Sequence, residues 1–454
     1  MVLWHPSLSP LERKPNAGKK WLAAPPLILS GSFLLLILFG TALLKLPIAT
    51  HEPISWIHSL FTATSAVTVT GLSVVDTGTQ FTLFGQTVIA LLIQCGGLGL
   101  MTFAIVTLIA LGGKIGFLER TVAKEAFNQT DSSTLVSTAK SVLMFALVVE
   151  TVGMSILATY WSSELGWQTS LFHGFFYTIS AFNNAGFALS ADSLMPYVDD
   201  PVVNLTITGL FIIGGLGFSV WMDLKRHRRW TKLTTYSRMM IVGTVIINTV
   251  ALIAIYFIEY DNPNTLAPLS ETGKWLASWF QAVTPRTAGF NTLPIDQLED
   301  ATTVIVLALM FIGGGSLSTA SGIKVVTFMV LILSTYGYLR RDAQVYVFKR
   351  EIARETISKA VALTMFSLGV TWLAIFILLL SENGQMLDVI FEVVSALGTV
   401  GLSRGLTTSL SSSGEVIIII LMYIGRLGPL TLAYFLASPR SLKLRYAETK
   451  LAVG

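Results

Sequence analysis

Long apolar runs of about 20 residues alternate along this chain with shorter, half-apolar segments that close on a glycine. The long runs lie near 26–45, 83–111, 139–160, 203–222, 238–258, 302–337, 356–380 and 415–437. As helix, about 20 residues cross roughly 30 Å of hydrocarbon. Between the two runs of each pair, segments such as Ser59 to Thr68 and Asp388 to Leu397 are only about ten residues long, too short to span. They predict re-entrant pore helices.

The closing glycines are Gly71, Gly186, Gly289 and Gly401, spaced 115, 103 and 112 residues apart in matched contexts. Ten residues before each stands an aromatic (Phe61, Phe176, Trp279, Phe391), and one residue after stands Leu72, Phe187, Phe290 or Leu402. Ser65, Ser180 and Ser395 occupy the sixth position before; the third copy has Val283 there and Thr284 one place later. A period this long in so apolar a chain predicts four membrane hairpins around one axis. The fold class expected is an all-α membrane protein of four helix–pore-loop–helix repeats, with eight spanning helices and four re-entrant pore helices around one pseudo-fourfold pore. The repeats cover 26–111, 139–222, 238–337 and 356–437, with tails at 1–25 and 438–454.

Composition excludes a water-soluble protein: 53% of the 454 residues are hydrophobic, 12% are charged and the mean hydropathy is +0.69. The single cysteine, Cys95, can build neither an intrachain disulfide nor a thiolate metal site. The first 20 residues are polar, with Arg13, Lys14, Lys19 and Lys20, so no cleavable signal is expected. Of the 30 Lys and Arg, 24 lie in or beside the two tails and the three connections between repeats, which sets those ends in the cytoplasm. The opposite loops hold Asp192, Asp199, Asp200, Glu259, Asp261, Asp296, Glu299 and Asp300, either solvated loop charges or an attraction for cations. The connection near 112–138 is too short for a soluble domain, and no G-x-x-x-x-G-K-[ST] phosphate loop occurs. No nucleotide site is therefore expected on this chain, and nucleotide sensing would need a partner.

The glycine segments read Val69-Thr70-Gly71, Asn184-Ala185-Gly186, Thr287-Ala288-Gly289 and Thr399-Val400-Gly401. A dehydrated cation needs several oxygens in place of its water, and four symmetric loops supply backbone carbonyls without burying charge. Glycine allows close approach and unusual backbone angles, while inward helix carboxyl ends add partial negative charge. Without an Asp or Glu ring, a monovalent cation fits, and K+ best.

These segments, with Ser180-Ala181-Phe182-Asn183-Asn184-Ala185-Gly186-Phe187, Arg286-Thr287-Ala288-Gly289-Phe290-Asn291 and Gly425-Arg426-Leu427-Gly428-Pro429-Leu430-Thr431, resemble the Trk/Ktr/HKT superfamily of potassium transporters across almost the whole chain. With only a short tail before the first repeat, the resemblance is greatest to the membrane subunits of bacterial Ktr systems, the KtrB branch. It implies a homodimer with one pore per subunit in the bacterial cell membrane, a cytosolic KtrA-type ring that binds nucleotide, and Na+-dependent K+ uptake. Plant relatives with serine at the first filter position favour Na+; Gly71 stands there here, which supports K+.

The second run of the third repeat is interrupted by Gly313-Gly314-Gly315-Ser316-Leu317-Ser318-Thr319-Ala320-Ser321-Gly322. Each interior glycine costs a helix about 1 kcal/mol relative to alanine, so a break is expected. Irregular backbone at membrane depth needs protein or a water-filled cavity beside it, which predicts a gate under the filter; members of the resembling branch carry an intramembrane gating loop there. Arg426 stands where the other repeats have Gly96-Gly97, Gly214-Gly215 and Gly313-Gly314. A charge in mid-span is a functional candidate, and its guanidinium is expected to bond the broken segment. Arg286, three residues before Gly289, needs its charge answered, and Glu392 is the expected partner. Glu150 is the one acid well inside a span, for packing or coupling. An intramembrane enzyme would need a motif that His5, His51, His58, His173 and His227 do not form. A conventional secondary transporter would show two inverted halves, which four parallel hairpins do not match. The basic stretches Lys225 to Lys232 and Arg340 to Arg354 suit an acidic cytosolic partner or anionic lipid equally.

Overall fold

Uninterrupted Leu, Ile, Val and Phe leave few side-chain groups to compete with backbone hydrogen bonding, so the runs fold as helices. The computed structural model describes residues 25–99, 133–315, 318–342 and 344–437. The tails as far as residue 24 and from 438, the connection up to residue 132, and Ser316 of the expected gate lie outside the described residues. The principal helices are α1 (Pro25–Leu44), α2 (Trp56–Thr68), α3 (Leu83–Gly97), α4 (Ser133–Leu165), α5 (Trp167–Phe182), α6 (Pro201–Leu216) and α7 (Phe218–Arg226). They continue with α8 (Thr235–Glu259), α9 (Glu271–Val283), α10 (Asp300–Phe311), α11 (Val325–Leu339), α12 (Arg354–Ser381), α13 (Met386–Gly398) and α14 (Ser412–Ala437). A short antiparallel hairpin, Tyr346–Val347 against Arg350–Glu351, joins α11 to α12.

The helices fall into four groups, α1–α3, α4–α7, α8–α11 and α12–α14, each with a short helix in second place. Those short helices, α2, α5, α9 and α13, have 13, 16, 13 and 13 residues. At 1.5 Å per residue they reach about 20–24 Å, less than a bilayer core. Their C-terminal halves are buried, as in Phe61 to Thr68 of α2 and Phe391 to Ala396 of α13. Ser55 and Ser270 cap α2 and α9 by accepting the N–H groups of His58 and Gly273.

Not every expected run is one helix. Among the described residues, Lys140–Leu165 of α4, α8 and α12 are long and apolar enough to cross a membrane. The run at 203–222 divides into α6 and α7, bent by 86° at Gly217, whose φ 93° and ψ 141° are not helical. The run at 302–337 divides into α10 and α11 at the break expected over 313–322, and α3 ends at Gly97, residues 100–111 of its run lying outside the described residues. At Gly217 and Gly322 the backbone takes positive φ, 93° and 68°, which a residue without Cβ adopts at little cost.

Packing runs round the four groups in a cycle. Phe61 and Leu72 of the first group are buried among Ile375, Leu378, Val389 and Ile418 of the fourth. Phe176 and Phe187 of the second lie in a cluster with Phe33 and Ile89 of the first. Phe290 of the third packs with Trp161, Ile207 and Phe211 of the second, and Phe391 and Leu402 of the fourth with Leu293, Val306 and Met310 of the third. The repeated aromatic and the residue after each glycine therefore fill the neighbouring group's core. Between apolar helices in lipid, such van der Waals fit, and not exclusion of water, supplies the association. Trp279 departs from the pattern: it is half-buried, and its indole N–H donates to Thr208 Oγ1 at 3.2 Å.

Candidate functional site

The four short helices each end in the same backbone device. Val69, Asn184, Thr287 and Thr399 all take positive φ (58°, 60°, 70°, 48°), and so do Gly71, Gly186, Gly289 and Gly401 two residues on (94°, 71°, 78°, 92°). The residue between them is not left-handed, so left-handed and ordinary backbone alternate. Left-handed angles at β-branched Val69, Thr287 and Thr399 cost of order 1–3 kcal/mol each and persist only where the surroundings enforce them.

The loops also meet. A Cβ on Gly71 would lie 2.3 Å from Ala185 O, one on Gly186 3.0 Å from Ala288 O, one on Gly289 2.4 Å from Val400 O, and one on Gly401 2.2 Å from Thr70 O. Each glycine thus abuts the carbonyl before the next glycine, and the fourth returns to the first. Each loop is tied to its own helix. The N–H groups of Thr70, Ala185 and Val400 donate to Ser65 O, Ser180 O and Ser395 O at 2.8, 2.7 and 2.8 Å. In the third loop Ala288 N donates to Thr284 O at 2.9 Å, so the displaced Thr284 takes over the serine's part. Its hydroxyl donates to Phe290 O at 2.5 Å as that of Ser180 does to Phe187 O at 2.8 Å. Ser65 and Ser395 instead accept the N–H of Gly71 and Gly401 at 3.0 and 3.2 Å.

Beside the loops runs the glycine-rich break between α10 and α11. Gly313 N donates to Ile323 O at 2.8 Å and Val325 N to Gly314 O at 3.2 Å, so the segment doubles back on itself. Gly315 N donates to Gly215 O at 2.8 Å, and Ser318 Oγ to Gly315 O at 2.7 Å. Thr319 Oγ1 donates to Asn184 Oδ1 at 2.7 Å, a direct bond from the break to one of the four loops. Gly322 closes the segment with φ 68°. Arg426 of α14 donates Nη1 to Thr319 O and to Ser321 Oγ (3.0 Å), and Nη2 to Gly96 O at 2.7 Å at the end of α3. One guanidinium therefore joins the first, third and fourth groups, and Gly215 and Asn184 bring in the second. Among the described residues no carboxylate pairs with it.

Arg286 and Glu392 do not form the expected pair. Arg286 donates to Asn248 Oδ1 at 2.9 Å and Thr244 Oγ1 at 3.4 Å on α8. Glu392 is fully buried and accepts from Ser403 Oγ at 2.8 Å and from Thr407 Oγ1. Each charge is answered by neutral groups of its own helix group, which avoids aligning two side chains across the interface. Arg286→Met and Glu392→Gln, measured singly and together by unfolding in detergent, are accordingly expected to add within about 0.5 kcal/mol. A coupling above about 1 kcal/mol would reinstate the pair.

Two features escaped the sequence reading. Lys324, whose ammonium donates to Ala320 O at 2.8 Å, lies inside the break; the rule that singled out Arg426, a charge within an apolar run, applies to it equally. Asn183 and Gln94 bond Glu150, a relation between three helices that no local spacing encodes.

A helical chain with these loops and this break is a cation transport protein by family. The profile of the TrkH family, described as cation transport protein, matches residues 22–443, and the chain belongs to that family. It is 47% identical over 436 residues to Ktr system potassium uptake protein B of Bacillus subtilis, covering 96% of this chain and 98% of that one. To the protein of the same name from Vibrio alginolyticus it is 43% identical, covering 94% and 95%. To Potassium/sodium uptake protein NtpJ of Enterococcus hirae it is 34% identical, covering 95% and 97%. The fold is that of the potassium transporter TrkH from Vibrio parahaemolyticus, with a TM-score of 0.70 at 21% identity over 90% of this chain and 85% of that one.

Proposed function

We propose that this chain is the potassium-translocating membrane subunit of a Ktr-type uptake system. K+ is selected by backbone carbonyls of Val69, Thr70 and Gly71, Asn184, Ala185 and Gly186, Thr287, Ala288 and Gly289, and Thr399, Val400 and Gly401. The observation that carries this reading is the closed cycle in which each loop glycine abuts the next loop's carbonyl. Carbonyls gathered in that way replace a monovalent ion's hydration without a fixed charge in hydrocarbon. Segment 313–322 and Arg426 form the gate: the loop leans on Asn184, and the guanidinium holds it there while adding a positive charge to the path. The architecture proposed is eight spans, with α6–α7 and α10–α11 as broken ones, and four pore helices in a bacterial cell membrane, both termini cytoplasmic. Two copies associate, each with its own pore, and a cytosolic KtrA-type nucleotide-binding ring regulates them. That part rests on the relatives' printed system name and on the basic stretches near 225–232 and 340–354.

In proteoliposomes, Rb+ and K+ uptake is expected to saturate with the ion, to exceed Na+ uptake, and to rise when Na+ is added. The name of the Enterococcus hirae relative joins both ions. Equal uptake of Na+ and K+, unaltered by substitution at any of the four glycines, would remove the reading.

A further inference from the structure

Glu150 sits in α4, within the stretch able to cross a membrane. A carboxylate there is costly unless other elements hold it. Two amides from two other helices do so. Gln94 of α3 donates Nε2 to both carboxylate oxygens, at 2.9 and 3.0 Å. Its own Oε1 accepts Asn183 Nδ2 at 2.6 Å, and the same Asn183 amide stands 3.5 Å from Glu150 Oε1. Among the described residues no Lys, Arg or His pairs with Glu150.

Asn183 caps α5 and immediately precedes Asn184, the left-handed residue of the second loop. A Cβ on Gly97 would lie 2.2 Å from Asn183 Oδ1, so α3 is fitted closely to this side chain. The third loop has the same plan with charge reversed. Arg286 holds the equivalent position, three before its glycine, and is bonded to Asn248 of α8, the first helix of its group as α4 is of the second. In the first and fourth loops that position is Thr68, bonded to Thr64 O and Thr70 Oγ1, and Gly398. Two of the four loops are therefore anchored to a long helix by the side chain just before the bend.

We infer that Glu150 is a positioning residue: through Gln94 and Asn183 it fixes the bend at Asn184 and so sets the affinity and selectivity of the constriction. The inference rests on the reading of the four loops as an ion filter. Releasing the anchor leaves the Gln94 amide without its carboxylate acceptor and lets the second loop shift, while Arg426 keeps its bonds to the break and the other three loops keep theirs.

The test is K+ and Na+ uptake by proteoliposomes holding the full-length chain as wild type, Glu150→Ala, Gln94→Met, the double variant and Glu150→Gln, each checked for a monodisperse elution profile. Glu150→Ala and Gln94→Met are each expected to raise half-saturating K+ about tenfold and to lower K+ over Na+ discrimination, with maximal rate within about threefold of wild type. The double variant should be no worse than the worse single one, because both cut the same relay. Glu150→Gln keeps one acceptor for Gln94 and should recover most of the shift. If Glu150→Ala does not fold, Gln94→Met alone carries the same expectation. Unchanged half-saturation and selectivity in Gln94→Met, additive effects in the double variant, or Glu150→Gln as damaging as Glu150→Ala would overturn the inference. A Gly186→Ala control separates the two readings: if it alters selectivity while the Glu150 and Gln94 variants do not, the anchor fails and the filter stands. If none of them alters it, the filter reading fails as well.

Discussion

Gly289→Ala is expected to lower K+ uptake at least a hundredfold, or to leave uptake that no longer distinguishes K+ from Na+, in protein that still folds. The added methyl would meet Val400 O at 2.4 Å and Gly186 Cα at 2.9 Å, with φ at 78°. All of these are backbone atoms, so no side chain can swing aside. The strain of an L residue at this angle is of order 1–2 kcal/mol, too little to unfold a domain stabilised by about 5–15 kcal/mol. The loops must therefore yield, and they yield at the carbonyls. A displacement of about 1 Å is large for a site that works by matching a hydration shell. Gly209→Ala on α6 is the control, since nothing lies within 4 Å of its Cβ position. Uptake by both variants equal to wild type would mean that the ion does not pass between the four loops.

Arg426→Ala is expected to raise basal K+ uptake, measured without any cytosolic partner, by about tenfold or more. Two effects act in the same direction. A unit charge about 8 Å from a permeating cation costs it about 2 kcal/mol at an effective dielectric of about 20, which is roughly thirtyfold in rate. The guanidinium also ties the break to α3 through Thr319 O, Ser321 Oγ and Gly96 O, and alanine removes every one of those bonds. Arg426→Lys separates the contributions, because it keeps the charge and loses the planar fork. Intermediate uptake assigns both a share, whereas unchanged flux in Arg426→Ala would show that the residue does not gate.

Much of the site was legible because it is repeated. Phe61, Phe176 and Phe391 announced themselves by equal distance from a glycine, and they are the side chains that carry one group's core into the next. The third copy's Val283 and Thr284 read as an irregularity; its backbone bond moves by one residue and the hydroxyl still reaches Phe290 O. Small residues at 313–322 signalled a loss of helix, since glycine propensity is a local property. The division of 203–222 was missed because its glycines, Gly209, Gly214, Gly215 and Gly217, are set among residues that stay apolar on both sides of the bend. Apolarity reports burial in lipid but not the direction of the helix.

The partners of charges were the least legible. Arg286 and Glu392 looked complementary by sign, yet signs do not state distance, and neutral Asn248, Thr244, Ser403 and Thr407 were nearer. Glu150 was visible as an acid out of context, whereas its bond to Gln94 depends on how α3, α4 and α5 stack. By itself the sequence determined what acts over a few residues or recurs at fixed spacing: apolar helices, their interruption by glycine, and four equivalent bends. Tertiary structure alone decided which carbonyl each glycine abuts, what holds Arg426 and Arg286, and where α6 turns. Those contacts join residues far apart in the chain, from 38 positions for Arg286 and Asn248 to 330 for Arg426 and Gly96, and the free energy that selects among them comes from packing and hydrogen-bond geometry, which no local pattern encodes.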